Sequence, residues 1–184
     1  EVDQRGLRRA ISDYGRALEE AGPDTVNVIY FAGHGVQIGS QNYLIPVKAD
    51  IRHERDVPIE AVSADEIMKS LAYSKTRMNV VILDACRNNP YARSFRSGTQ
   101  GLARMEAPRG TLLAYSTSPG SVAMDGTGRY SPYTASLVRA INRPGLPIEA
   151  VFKRTRVDVM ERTNDQQVPW ESSSLTGEFS FLPQ

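Results

Sequence analysis

Cysteine is almost missing from this chain: Cys86 is the only one in 184 residues. A single thiol excludes an intrachain disulfide, so packing must hold the fold, and the sulfur is left available for chemistry. Histidine is nearly as scarce, with only His34 and His53. One cysteine and two histidines do not supply the closely spaced ligands of a zinc site. No glycine-rich phosphate loop follows a strand. No apolar run approaches the roughly 18–20 residues of a membrane span, and Glu1-Val2-Asp3-Gln4-Arg5 does not read as a signal peptide. Excess charge is absent as well: a formal net charge of +1 gives no electrostatic reason to expect nucleic acid or a membrane as partner. Internal repeats and low-complexity tracts are also missing. What remains is one soluble domain with 40% hydrophobic residues, enough for a real core. With no signal visible, the cytoplasm is the preferred location, and the redox compartment stays open.

Two segments carry the chemistry. Tyr30-Phe31-Ala32-Gly33-His34-Gly35 and Val80-Val81-Ile82-Leu83-Asp84-Ala85-Cys86-Arg87 each read as a buried apolar strand ending on a reactive side chain. Around them, Leu7, Ala10, Ile11, Tyr14 and Leu18 recur at helical spacing, and Gly22-Pro23 ends that helix before a strand over 26–32. Residues 42–50 read as extended, with Pro46 confining them to an edge or loop. His53 follows in a polar stretch and reads as a solvated loop residue. Ser63-Ala64-Asp65-Glu66 has the pattern of a capping box and predicts a helix over 64–73.

Residues 79–84 are almost wholly apolar and β-branched, as expected of a central parallel strand covered on both faces. Cys86 falls just past the carboxyl end of that strand, the edge at which open α/β sheets bind ligands. The stretch 87–109 reads as a long loop and 110–116 as another strand. Ser131-Pro132 starts a helix, and Ile148, Val151, Phe152, Thr155 and Val159 mark one more. A short last strand is expected over 178–182.

A lone buried cysteine is most often an inert small hydrophobe. Here the context reverses that expectation, because His34 lies about 50 residues upstream and follows its own strand. A free thiol with a pKa of about 8.5 is mostly protonated at neutral pH and needs such a base to become a nucleophile. Asp84, two positions before Cys86 on an extended strand, points to the same side and is a candidate floor for a substrate pocket. A carboxylate there would pair with arginine or lysine, arginine through two parallel hydrogen bonds. The alternative is an aspartate that bonds nearby backbone.

The spacing, together with Ala85-Cys86-Arg87, fits the caspase signature, with Asp84 where caspases have glutamine. The whole resembles the metacaspases, the caspase-like proteases of bacteria, plants, fungi and protists. Asn42-Tyr43-Leu44-Ile45-Pro46-Val47, the strand 110–117 and Pro169-Trp170-Glu171-Ser172-Ser173 look like bacterial members.

The resemblance implies a caspase-like three-layer α/β/α sandwich with a mainly parallel sheet, here without the strand-helix-strand that opens that fold. It implies one peptidase domain in three parts: 1–86 like a large subunit, 87–109 as linker and 110–184 like a small subunit. By the same likeness the backbone amides of Gly35 and Cys86 form an oxyanion hole, and Asp84 selects a basic residue before the scissile bond. Ala32 stands where many metacaspases have serine, and an upstream pocket aspartate of the family has no counterpart. Asp125, in the loop 118–130, is a candidate for the extra acid.

The expected function is a Cys-His endopeptidase cutting protein or peptide substrates after Arg or Lys. If the enzyme cuts after basic residues, Arg87, Arg93, Arg96, Arg104 and Arg109 become candidate self-cleavage points; the alternative is that they are soluble surface on a loop. Two alternatives stay open: a caspase-like protease cutting after Asp, and a non-catalytic caspase-like binding module. The resemblance further implies a monomer and, if the opening elements reside on another polypeptide, a separate N-terminal fragment as partner. No cofactor is required. Calcium activates many metacaspases, and Asp50, Asp65 and Glu66 are the candidate ligands, a thin set for an ion that takes about six to eight oxygens.

Overall fold

The computed structural model describes residues 1–85 and 101–184. The first helix, α1 (Gln4–Glu20), starts where the Asp3 side chain accepts a hydrogen bond from the Gly6 amide at 2.8 Å. Its apolar stripe of Leu7, Ile11, Tyr14 and Leu18 packs onto one face of the central sheet. Strand β1 (Val26–Ala32) follows, as its apolar, β-branched sequence predicts. The chain then turns at once into a hairpin of β2 (His34–Ile38) and β3 (Gln41–Ile45). A 3₁₀ turn at Glu54–Asp56 and a single helical turn, α2 (Val57–Glu60), lead to β4 (Val62–Ser63), which pairs with β3. Helix α3 (Asp65–Ala72) returns the chain to β5 (Met78–Asp84).

From Thr111 onward lie β6 (Thr111–Tyr115), α4 (Pro132–Ile141), α5 (Ile148–Arg162) and β7 (Trp170–Ser173). The main sheet has the order β1-β5-β6-β7, parallel except for β7. Side chains alternate across β5. Val81 and Leu83 enter a core with Leu18, Ile67 and Leu71 from α1 and α3. Met78, Val80 and Ile82 enter a second core with Leu137, Val151 and Phe152 from α4 and α5. Every residue of β5 is buried, as expected of a strand covered on both sides. The architecture is therefore the three-layer α/β/α arrangement with a mainly parallel sheet. Strand β1 forms one edge of that sheet, with Val28 and Tyr30 exposed on it. Among the described residues no helix is long and apolar enough to cross a membrane.

Several local expectations need correction. The capping box at Ser63 is only half made: the Asp65 amide donates to Ser63 Oγ at 3.3 Å, but Ser63 belongs to β4, and Glu66 pairs with Arg8 at 3.7 Å. Tertiary pairing thus takes both members of the motif, and α3 starts one residue later than the pattern suggests. The extended segment at 42–50 is half a strand, since β3 ends at Ile45 before Pro46, which has no N–H to donate. No strand forms at 178–182, where Ser180 makes only an isolated bridge to Pro147. The closing strand is instead β7, whose mixed composition hid it.

Candidate active site

Strands β1 and β5 run in register from Val26 opposite Met78 to Ala32 opposite Asp84. Both strands end level, and the Gly33 amide donates to the Asp84 carbonyl at 3.2 Å, carrying the pairing one step further. His34 is the first residue of β2 and is exposed at this edge. Cys86 lies outside the described residues, as do Arg87, Arg93 and Arg96. In chain position, however, His34 and Cys86 each come two residues after a register-paired strand end.

Gly35 is buried against the residue before Cys86. A Cβ added there would lie 2.8 Å from the Ala85 carbonyl oxygen and 3.0 Å from Leu102 Cδ2. Only glycine lets the two chains approach this closely. The φ of Gly33 is not in the left-handed range, so its backbone does not demand glycine. What crowds a side chain there is the Phe31 ring, 3.1 Å away. Gly35→Ala is expected to push β2 away from Ala85, at a cost of about 1–3 kcal/mol. Thermal unfolding should show this as a Tm lower by about 2–4 °C per kcal/mol.

Asp84 ends β5 and is 1% exposed. Its Oδ2 accepts a hydrogen bond from Ser131 Oγ at 2.5 Å and another from Thr134 Oγ1 at 2.7 Å. Its Oδ1 has no hydrogen-bond partner among the described residues. These bonds run to side chains of another element, whereas a merely local aspartate would bond its neighbouring backbone. Ser131 is the N-cap of α4 and accepts from the Thr134 amide at 2.9 Å. Thr134 Oγ1 also meets the Tyr30 hydroxyl at 2.5 Å. Ala32, level with Asp84 on the neighbouring strand, is exposed and contributes only a methyl group.

Asp125 is exposed in the loop 118–130, outside the hydrogen bonds around Asp84. The residue before it, Met124, donates its amide to Gln167 Oε1 at 2.9 Å, while Gln167 Nε2 donates to the Ser116 carbonyl at 2.7 Å. Fully buried Gln167 thereby fastens that loop to the end of β6. His53 is a largely exposed cap of the 3₁₀ turn, as its polar setting predicts.

The calcium candidates do not converge. Asp50 forms two bonds with Arg52, Glu66 pairs with Arg8, and Asp65 lies in the first turn of α3. No group of three or more His, Cys, Asp or Glu side chains among the described residues could hold a metal ion. These donors do not fit a calcium ion.

Sequence reasoning missed Thr134, Tyr30 and Gln167, and read Ser131 only as a cap. The Ser131-Pro132 signal did locate the helix start, but its contact with Asp84 depends on the sheet lying beside it. The family model of the caspase domain matches residues 1–180. The chain belongs to the caspase-domain family. No curated protein matches it.

Among solved structures, caspase-1 from Spodoptera frugiperda is similar at a TM-score of 0.60 and 15% identity, covering 100% of this chain and 72% of that one. A Geobacter sulfurreducens protein is similar at 0.64 and 14% identity, covering 99% of this chain and 77% of that one. At these identities the likeness is one of fold. The caspase-domain family is one of cysteine peptidases, so this caspase domain is of protease type and its substrates are proteins or peptides.

Proposed function

We infer that this caspase domain is a cysteine endopeptidase of the bacterial metacaspase type that cuts after arginine or lysine. The observation that carries the specificity is Asp84: a buried carboxylate at the catalytic edge, with one oxygen satisfied and the other buried without a donor among the described residues. A buried carboxylate oxygen without a donor is costly, and a cationic side chain supplies the missing partner. The same charge repels an acidic side chain, which disfavours cutting after Asp.

In the proposed reaction His34 accepts the Cys86 thiol proton, and the thiolate attacks the scissile carbonyl carbon. The backbone amides of Gly35 and Cys86 hold the developing oxyanion. His34 then protonates the leaving amine, and the C–N bond breaks to leave a thioester. Water, deprotonated by His34, attacks that thioester, releasing the carboxylic acid and the free thiol. The chemistry needs no cofactor. As to partners, the reading is of a monomer with protein substrates. The open edge of β1, with Val28 and Tyr30 exposed, supports pairing with a further segment of the same protein.

The test is hydrolysis of matched peptides carrying Arg, Lys or Asp before a fluorogenic leaving group, with calcium and then with EGTA, against Cys86→Ala. Cleavage after Arg or Lys alone, lost in the variant, is expected. Cleavage only after Asp would overturn the specificity but keep the chemistry. Turnover with no peptide would favour a binding module.

Self-processing belongs to the same proposal. Arg104 is exposed, but Ala103 is held at both its amide and its carbonyl by Asn42, and the Met105 amide donates to the Tyr115 hydroxyl at 2.9 Å. After Arg109, the Gly110 carbonyl accepts from Asn79 at 2.8 Å and the Thr111 amide donates to Ser174 Oγ at 3.3 Å. A scissile segment must be free to enter the cleft extended, so these two sites are disfavoured. Incubating the wild type beside Cys86→Ala and sequencing the new N-termini is expected to find cuts before Gly101 only, and only in the wild type.

A further inference from the structure

We propose that Ser131 and Thr134 are positioning residues that set which basic side chain Asp84 prefers, by filling its Oδ2 and presenting Oδ1 alone. This rests on the reading of Asp84 as the floor of a basic-residue pocket. A carboxylate oxygen has two lone pairs, and both of those on Oδ2 are taken by the Ser131 and Thr134 hydroxyls at 2.5 and 2.7 Å.

The direction of each bond is fixed by proton count. A carboxylate only accepts, so each hydroxyl must spend its single proton on Asp84. Ser131 Oγ then accepts from the Thr134 amide, and Thr134 Oγ1 accepts from the Tyr30 hydroxyl. The chain of donors therefore runs from Tyr30 through Thr134 to Asp84, with Ser131 converging on the same oxygen. It links β1, α4 and β5, so the carboxylate is held directly from α4 and, through Thr134, from β1.

An arginine fork gains its advantage over lysine by bonding both oxygens of a carboxylate in parallel. With Oδ2 filled, that second bond has no acceptor. Among the described residues only Oδ1 lacks a donor, and a single oxygen serves an ammonium as well as it serves one edge of a guanidinium. Two parallel bonds to arginine, expected from residue type alone, are therefore replaced by one-point recognition. Wild-type protein should cleave matched Arg and Lys peptides with kcat/KM values within about threefold of each other.

Thr134→Val keeps the β-branched shape and frees one lone pair of Oδ2. The restored second bond, a charge-assisted one, should raise the Arg-to-Lys ratio of kcat/KM about tenfold, mainly through KM for the Arg peptide. Thr134→Ser, which retains a hydroxyl, should return the ratio to the wild-type value. A purely structural role for Thr134 would lower both substrates alike, with a lower Tm and no change in ratio.

The experiment is therefore a steady-state comparison of the two peptides with wild type, Thr134→Val and Thr134→Ser, alongside melting curves. If Thr134→Val fails to fold, the wild-type ratio still decides: an Arg preference of about a hundredfold or more would overturn the proposal. An unchanged ratio in a folded Thr134→Val would also overturn it while leaving the basic pocket standing. Failure of the wild type to cleave either peptide would overturn the pocket and this inference together.

Discussion

Cys86→Ala is expected to abolish peptide hydrolysis, with a loss of about 10⁴-fold or more in kcat/KM, because the chain holds no other cysteine to supply a thiolate. Strands β1 and β5 are parallel neighbours whose last paired residues are Ala32 and Asp84. A further backbone bond joins Gly33 to Asp84, and Gly35 lies against Ala85. The histidine-bearing turn is thus attached at two points to the segment that delivers the cysteine.

Groups that act as a unit fail together, so His34→Ala should cost nearly as much as Cys86→Ala, and the double variant little more. Circular dichroism and melting of the variants separate loss of chemistry from loss of fold. Substantial residual activity in folded Cys86→Ala would mean that another group is the nucleophile.

Asp84→Asn is expected to reduce cleavage after Arg and Lys by about 10²–10³-fold, as removal of one partner from a buried charge pair does. The amide keeps a carbonyl oxygen to accept from Ser131 and Thr134, so the loss reports charge rather than shape. The stability effect should be small. The buried charge is removed, while an unpartnered Nδ2 takes the place of the unpartnered Oδ1, so the two effects on stability largely offset. Matched kinetics and thermal melts therefore distinguish the two roles: a specificity residue loses turnover with Tm held, whereas a purely architectural one loses both.

The parts of the fold legible in the chain were those with one dominant signal. The unbroken apolar run of β5 and the stripe of α1 each specify burial on their own, and the Ser131-Pro132 pair gives the start of α4. The hairpin from His34 to Ile45 is not legible as such, although Gly39-Ser40 marks its turn, because a histidine that closes one apolar strand carries no local sign that it also begins the next. Strand β7 was missed for another reason: Trp170, Glu171, Ser172 and Ser173 have no alternating pattern, and pairing with β6 alone makes them a strand.

At the candidate site, Asp84, Gly35 and Ala32 could be placed from their distance to a strand end. The partners of Asp84 come from 47 and 50 residues further on, and no local spacing encodes such contacts.

The order of the main sheet has one more consequence. Strand β5 ends at Asp84 and β6 starts at Thr111, yet they are adjacent, joined from Asn79 opposite Thr111 to Leu83 opposite Tyr115. Asn42, well before Cys86, grips Ala103, well after it, through both backbone groups. A break in the polypeptide between them would thus divide the covalent chain without dividing the sheet. The two products would share both cores and behave as one particle under native conditions, separating only when denatured.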